Sequence, residues 1–260
     1  MTDPSSAPSS VSPVPGIVVQ NLTKLYGDLA AVSSLSFTVQ AGEVLGLVGP
    51  NGAGKTTTLR SLSGIIRPTS GTIRIAGHDL AVEPVAAKRA MAFVSDEPHL
   101  FEYLSVEEHL QFIARLYGVP DAAERIPPLL TELELLEKRQ ALPGELSRGM
   151  RQKLAIACGL LHQPCALVLD EPLTGLDPAG MRQMKATIVS RAREGAAVVL
   201  SSHLLQLVEE LCTRILIIHG GRVVAIGALG DIIADRPQLA GLGLEDIFLA
   251  LTGEGEPAPR

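Results

Sequence analysis

Apolar and polar residues along the chain form short runs with two different periods. Continuous apolar runs at 43–48, 166–169 and 197–200 predict strands that are buried on both faces, and the alternation at 35–39 predicts a half-buried strand. Shorter strands are predicted at 17–20, 72–75 and 91–95, and a hairpin at 214–218 and 222–226. This pattern indicates a sheet-containing core.

Helix signals separate these strands. A helix is predicted at 57–63, a second at 147–161, and a third from Asp177, where Asp-Pro is typical of an N-cap followed by proline at the first helical position. Strands that alternate with helices indicate a largely parallel sheet with helices on both faces. The fold class predicted is therefore α/β.

The middle of the chain, from 105 to about 144, has helix signals and no strand pattern. Ser105 and Glu108 form a capping-box pattern, and a second apolar stripe follows Pro127-Pro128. We interpret 97–146 as a helical insertion.

The two ends of the chain differ in composition from the α/β part. The Ser/Pro-rich residues 1–15 are expected to be disordered, which leaves 16–227 as the main domain. Residues 228–260 carry two short helical patterns, one of them at 244–249, and are expected to form a C-terminal extension.

Composition narrows the possible partners. A net charge of −6 and an aromatic content of 3% without tryptophan argue against nucleic-acid binding. Cys158, Cys165 and Cys212 lie in apolar surroundings without metal-ligand spacing, so buried free thiols are expected. No apolar run is long enough to span a membrane, and the N-terminal residues do not have the pattern of a signal peptide.

The strand at 43–48 runs into a glycine-rich phosphate-binding motif. Its residues are Gly49, Pro50, Asn51, Gly52, Ala53, Gly54, Lys55, Thr56 and Thr57. The glycines allow the backbone to turn its N–H groups onto an anion, Lys55 brings a positive charge to the β- and γ-phosphates, and Thr56 offers a hydroxyl to Mg²⁺. The strand before the loop and the helix after it argue against a chance match.

A second chemical signal ends the strand at 166–169. Asp170 is placed to hold the Mg²⁺ shell, and the adjacent Glu171 is placed to polarise an attacking water. The alternative is a solvated helix start, which an Asp-Glu pair also suits. Because the preceding run is a strand and a phosphate loop is present, we favour the chemical interpretation.

Five motifs follow one another along the chain: the phosphate loop, Leu-Ser-Arg-Gly-Met at 146–150, Leu-Asp-Glu-Pro at 169–172, Leu-Asp at 176–177 and Ser-His at 202–203. In this order they resemble the ATP-binding subunit of an ABC transporter. The resemblance covers about 17–227. It implies a P-loop NTPase with a mainly parallel sheet, an N-terminal antiparallel β subdomain and an inserted helical subdomain.

The resemblance assigns further residues. Tyr26 matches the aromatic residue that stacks on adenine. Ser147 and Gly149 match the signature motif, which acts in trans on the γ-phosphate held by the partner's phosphate loop. Asp177 matches the loop that communicates across that dimer, and His203 matches the histidine that contacts the γ-phosphate. In the implied mechanism Glu171, His203 and Lys55 are catalytic.

Two positions depart from the usual pattern. Asp96 stands where the family has a glutamine that contacts Mg²⁺ and water, and its negative charge favours contact through a bridging water. Met150 replaces the polar fifth residue of the commonest signature. The form Ser-Arg-Gly-Met-Arg-Gln resembles the branch that serves drug, antibiotic and polysaccharide export.

The resemblance implies an ATPase that uses ATP and Mg²⁺ and forms a homodimer, or a heterodimer with a related ATPase. Its partner would be a polytopic membrane permease, with the chain peripheral on the cytoplasmic face of the cell membrane. The surface around Asp96, Phe101, Tyr103 and Leu104 is expected to meet that permease, unless these side chains only cover the insertion's own core. A soluble non-transport ABC ATPase, such as one for iron–sulfur assembly, and an importer subunit remain alternatives.

Overall fold

The computed structural model describes residues 15–253, so almost all of the segment predicted to be disordered, 1–15, lies outside the described residues. The strands are β1 (Ile17–Tyr26), β2 (Leu29–Val39), β3 (Val44–Val48), β4 (Ser70–Ile75), β5 (His78–Asp79), β6 (Met91–Val94), β7 (Ala166–Asp170), β8 (Ala197–Ser201), β9 (Arg214–His219) and β10 (Arg222–Gly227). The helices are α1 (Lys55–Leu62), α2 (Pro84–Arg89), α3 (Val106–Tyr117), α4 (Ala122–Glu132), α5 (Arg148–Leu160), α6 (Pro178–Arg193), α7 (Leu205–Leu211), α8 (Leu229–Ala234) and α9 (Leu244–Thr252).

The strands form two sheets. The larger has the order β10-β9-β3-β8-β7-β6, in which the five strands from β9 to β6 are parallel and β10 is an antiparallel edge strand. The smaller has the order β2-β1-β4-β5 and is antiparallel. The predicted fold class, α/β with a mainly parallel sheet and an N-terminal antiparallel sheet, is confirmed.

The parallel sheet separates two apolar cores. In β3 the side chains of Val44 and Val48 join the core on one face, and those of Leu45 and Leu47 join the core on the other. All four are almost fully buried, and truncating one such leucine to alanine would cost about 2–5 kcal/mol. The buried sheet fixes the common edge at which β3, β7 and β8 end.

Between β6 and β7 the described chain is helical. Ser105 caps α3 as predicted, with its Oγ accepting from the Glu108 N–H at 3.2 Å. The second apolar stripe lies on α4, which begins at Ala122, before Pro127 and Pro128. The helix continues through the two prolines because their missing N–H groups remove only two bonds, while buried side chains such as Leu130 anchor its apolar face.

Two predictions of local structure need correction. The first strand is longer than 17–20, because a left-handed residue, Asn21, and shifts in register interrupt the alternation without ending β1. Cys165 is exposed, not buried, because it precedes β7 in a connecting loop. Burial raises the pKa of Cys158 and of Cys212 to about 12, and all three cysteines are free thiols.

The segment after β10 packs back onto the domain. Helix α8 lies against β10, and α9 lies against α7 and β10. Within residues 15–253, no helix combines the length and apolar character needed to cross a membrane.

Candidate nucleotide site

The phosphate loop joins β3 to α1 along a path that requires glycine. Gly52 and Gly54 have φ of 78° and 103°, in the left-handed region. A Cβ atom on Gly49 would lie 2.4 Å from the carbonyl oxygen of Ile218, and one on Gly54 would lie 2.4 Å from that of Ala31. The loop backbone is therefore packed against neighbouring strands and held in a fixed turn.

Lys55 and Thr56 stand at the N-terminus of α1. The Nζ of Lys55 donates to the carbonyl oxygens of Gly49 at 2.5 Å and Pro50 at 3.1 Å, so the side chain lies along the loop. Thr56 is exposed. The positive end of the helix dipole adds to the charge of Lys55, which makes this turn suited to an anion such as phosphate.

Asp170 and Glu171 end β7 beside a serine that was not identified from the sequence. Asp170 pairs with Ser201 across the parallel strands β7 and β8, and the Ser201 Oγ donates to Asp170 Oδ1 at 2.6 Å. The same Oγ accepts from the Glu171 N–H at 3.1 Å. Its position at the end of β8, just before Ser202-His203, is the signal that could have found it.

Glu171 and His203 form a direct pair. Glu171 Oε2 lies 2.8 Å from His203 Nδ1, across the ends of β7 and β8. Glu171 has φ of 50°, an uncommon conformation for a non-glycine residue that is found often at functional sites. Its side chain is 17% exposed and that of His203 is 61% exposed, so the pair combines a shielded carboxylate with an accessible imidazole.

A cavity of about 430 Å³ joins the phosphate loop to the segment that carries His203. Its lining residues are Val48, Gly49, Pro50, Asn51, Lys55, Ser202, His203, Leu205 and Phe248. Phe248, on α9, was not expected there. The other predicted site residues do not line this cavity: Tyr26, Gly52, Ala53, Gly54, Thr56, Thr57, Asp96, Ser147, Gly149, Met150, Asp170, Glu171 and Asp177.

The signature residues lie at the start of α5. Ser147 caps the helix, with its Oγ accepting from the Met150 N–H at 3.1 Å. A Cβ on Gly149 would lie 2.8 Å from the Gly175 carbonyl oxygen, so the signature packs closely on the loop before α6. In that loop Asp177 caps α6 by accepting from the Gly180 N–H at 2.7 Å.

Asp96 and Tyr26 lie at more open positions. Asp96 Oδ1 is 3.5 Å from a guanidinium nitrogen of Arg148 in the signature, and both side chains are about half exposed, which limits the strength of the pair. Tyr26 ends β1 with 49% exposure, and Lys24 Nζ lies 5.0 Å from its ring centroid. Its ring is therefore accessible for stacking.

The oxygen donors near the phosphate loop fit a shared magnesium site and not an all-protein metal cage. No cluster of three or more His, Cys, Asp or Glu side chains able to hold a metal occurs in the described part of the chain. Mg²⁺ is commonly bound through one or two carboxylates, substrate phosphates and waters, without an all-protein cage. Asp170, which is 5% exposed, and the exposed Thr56 fit that mode.

Comparison with known sequences assigns the family. The sequence model described as "ABC transporter" matches residues 32–174. The chain belongs to this family. It is 33% identical over 238 residues to the ABC-type transporter ATP-binding protein EcsA of Bacillus subtilis, which covers 91% of this chain and 96% of that protein. A Nod factor export ATP-binding protein I of Burkholderia lata is 40% identical, covering 83% of this chain and 72% of its own length.

Solved structures agree with the ABC assignment. An ATP-binding subunit of an ABC transporter is 36% identical, with a TM-score of 0.86 over 90% of this chain and 98% of that one. A dimeric ATP-binding cassette bound to ADP and Pi has the same fold, with 23% identity, a TM-score of 0.75 and coverage of 82% and 98%. This ABC protein is therefore an ATP-binding ATPase of the transporter type.

Proposed function

We propose that this ABC ATPase drives export through a separate membrane permease by closing as a dimer around ATP. The observation that carries the proposal is the Glu171–His203 pair at 2.8 Å, next to a cavity shared by His203 and the phosphate loop. A carboxylate oriented by a histidine is suited to activating a water near the γ-phosphate. The export direction rests on similarity to proteins named for Nod factor export.

Each residue near the loop has a proposed role. Lys55 and the loop amides neutralise the phosphates, Glu171 is the general base, and His203 stabilises the γ-phosphate. Mg²⁺ would be held by Thr56 and Asp170, with Asp96 acting through a bridging water, and would neutralise developing charge. Tyr26 would stack on adenine, and the remaining nucleotide contacts would come from Gly49, Pro50, Asn51, Gly52, Ala53, Gly54 and Thr57.

The signature is proposed to act from a second molecule, either an identical copy or a related ATPase. At the N-terminus of α5, Ser147 offers a hydroxyl and Gly149 a backbone N–H, which suit the phosphates of a nucleotide held by a partner. Asp177 would lie in the same interface. The related cassette whose structure is dimeric and bound to ADP and Pi is consistent with this arrangement.

The proposed permease contact is the surface formed by Asp96, Phe101, Tyr103 and Leu104. Tyr103 is 87% exposed and Phe101 is 53% exposed, more than is expected of side chains that only cover their own core. On α3 the exposed Phe112 continues this surface, with its ring 5.2 Å from that of Phe101. The chain would then lie on the inner face of the membrane.

We also propose that the chain is divided into an ATPase domain and a C-terminal extension. Residues 16–227 form the ATPase domain, with the helical subdomain inserted at about 97–146, and residues 228–260 form a C-terminal extension.

Replacing Glu171 by glutamine tests the proposed function. Glu171→Gln keeps the side-chain shape but removes the base, so we expect ATP binding and ATP-induced dimers to persist while kcat falls roughly a hundredfold or more. ATP hydrolysis and light scattering with ATP measure the two effects. Glu209→Gln, which changes an exposed glutamate on α7, is the matched control and should retain wild-type turnover. Near-wild-type turnover in Glu171→Gln would remove Glu171 from the role of base.

A further inference from the structure

We infer that the C-terminal helix α9 positions His203, and that Phe248 is the side chain through which it does so. The inference rests on the proposed function of His203 and extends it to the segment after the ATPase domain. Phe248 is a positioning residue, because it supports the segment that carries His203 and has no polar group for phosphate.

The segment that carries His203 is held on both sides, because Ser202 is buried and the Leu204 carbonyl oxygen accepts from the Leu207 and Val208 N–H groups of α7. His203 follows β8 and precedes α7, which begins at Leu205 without a side-chain cap. The Leu204 N–H donates to Ser202 Oγ at 3.1 Å, and the exposed His203 ring is held by Glu171. The path of this backbone therefore depends on the side chains that pack against it and against α7.

Helix α9 supplies that packing. Its residues Leu244, Ile247 and Phe248 are buried, and they belong to the same apolar core as the buried face of α7, formed by Leu207, Val208 and Leu211. The two helices are in contact. A residue on α9 can therefore influence where α7 begins.

Phe248 is the residue of α9 that reaches the site. Phe248 lines the cavity of about 430 Å³ together with Lys55 from the phosphate loop. Ser202, His203 and Leu205, from the segment between β8 and α7, line the same cavity. Removing the ring of Phe248 would enlarge this cavity on the side of that segment, and surrounding structure relaxes partly into such a space. The His203 Nδ1 atom would then move away from Glu171 Oε2.

The ring resonances of histidine test this inference without relying on turnover. The chain has six histidines, at 78, 99, 109, 162, 203 and 219, so selective ¹³C labelling gives a spectrum that can be assigned by substitution. In Phe248→Ala we expect the His203 resonance to move, while His78 and His162, which lie on other elements, stay in place and report an intact fold. Phe248→Leu also lacks the aromatic ring but keeps most of the apolar volume, so it shows the shift that loss of the ring current alone produces. The shift in Phe248→Ala should be clearly larger, and equal shifts in the two variants would contradict the inference.

Leu249→Ala is the matched control. Leu249 is the next residue of α9 and packs against the same core, but it is not among the residues that line the cavity. It should leave the His203 resonance unchanged. An unmoved His203 in Phe248→Ala, or an equal movement in Leu249→Ala, would overturn the inference. If Phe248→Ala does not fold, Phe248→Val, whose side chain is smaller than leucine, makes the same comparison with a smaller change.

Kinetics provide the second measurement. Phe248→Ala should lower kcat for ATP about fivefold or more and change KM less than about twofold, because a displaced catalytic group affects the transition state more than ground-state binding. A wild-type chain without ATPase activity would contradict the proposed function, whereas the His203 resonance would still decide the role of Phe248. An equal loss of kcat in Leu249→Ala would assign the effect to general loosening of α9.

Discussion

The hydroxyl of Ser201 arranges two acidic residues at once. It donates to Asp170 Oδ1 and accepts from the Glu171 N–H, so one atom fixes both the proposed metal ligand and the backbone of the proposed base. Ser201 is fully buried, which means that water cannot replace either bond easily. Its role is to hold the left-handed turn at Glu171 in place.

Removing this hydroxyl should therefore affect stability and catalysis together. We expect Ser201→Ala to lower the free energy of unfolding by about 1–3 kcal/mol, because the buried Asp170 carboxylate loses a donor and the Glu171 N–H loses its acceptor. ATP turnover should fall as Asp170 and Glu171 lose their alignment. Urea denaturation and the Mg²⁺ dependence of ATPase activity measure the two effects. Ser201→Thr retains the hydroxyl and should recover most of both, and unchanged Mg²⁺ dependence in Ser201→Ala would contradict the role.

At the scale of elements, one histidine connects three of them. His162 follows α5, donates from Nε2 to the carbonyl oxygen of Met91 in β6 at 3.2 Å, and stacks on Tyr117 of α3 with ring centroids 3.9 Å apart. Its Nδ1 is buried and has no hydrogen-bond partner within the described residues. Burial lowers the pKa of His162, so the folded protein favours the neutral ring.

The lowered pKa of His162 sets the direction in which the stability of the protein changes with pH. A lowered pKa in the folded state gives a stabilising contribution above the unfolded-state value of about 6.5, and this contribution is lost as the pH falls towards the folded-state pKa. His162→Gln should therefore flatten the decline in stability between pH 7 and pH 5. Urea midpoints across that range measure it, with the exposed His219→Gln as control. Equal slopes for wild type and His162→Gln would contradict the prediction.

These elements also show what the sequence could predict. The phosphate loop, the capped helices and the buried strands follow from local patterns, and the meeting of Glu171 with His203 follows from two parallel strands that end at one edge. The role of Phe248 could not be predicted, because an apolar residue on a short amphipathic helix does not indicate which surface it packs on. The full length of β1 could not be predicted either, because its register shifts break the alternation of apolar and polar residues.

At the scale of the whole molecule, the residues proposed to bind the nucleotide lie in two regions of the chain. The phosphate loop and His203 share a cavity, whereas Ser147 and Gly149 lie at the start of α5 against the loop before α6. In a dimer with two-fold symmetry, the phosphate loop of each subunit can face the signature of the other, so the same contact occurs twice. This arrangement would give two composite sites per dimer.

Mixing two inactive variants tests this division. Lys55→Ala and Ser147→Arg should each abolish hydrolysis alone, but a mixed dimer keeps one composite site with an intact loop and an intact signature. For sites that hydrolyse independently, an equimolar mixture should recover roughly a quarter of wild-type ATPase activity, since half the dimers are mixed and each has one working site of two. Dependence of one site on the other would lower this value. No recovery would contradict the head-to-tail arrangement, with energy transfer between differently labelled Lys55→Ala and Ser147→Arg subunits as the control that mixed dimers form.

The close approach of Gly149 to Gly175 affects the order of events in such a dimer. A Cβ at Gly149 would lie only 2.8 Å from the Gly175 carbonyl oxygen, so no side chain separates the signature from the loop that follows Glu171. Thr174 in that loop donates its N–H to the Glu171 carbonyl oxygen at 3.1 Å. If a partner's nucleotide displaces the signature, the displacement should therefore reach the turn that carries Glu171, the proposed base of the same subunit. We expect the rate of hydrolysis at one site of the dimer to depend on the state of the other site.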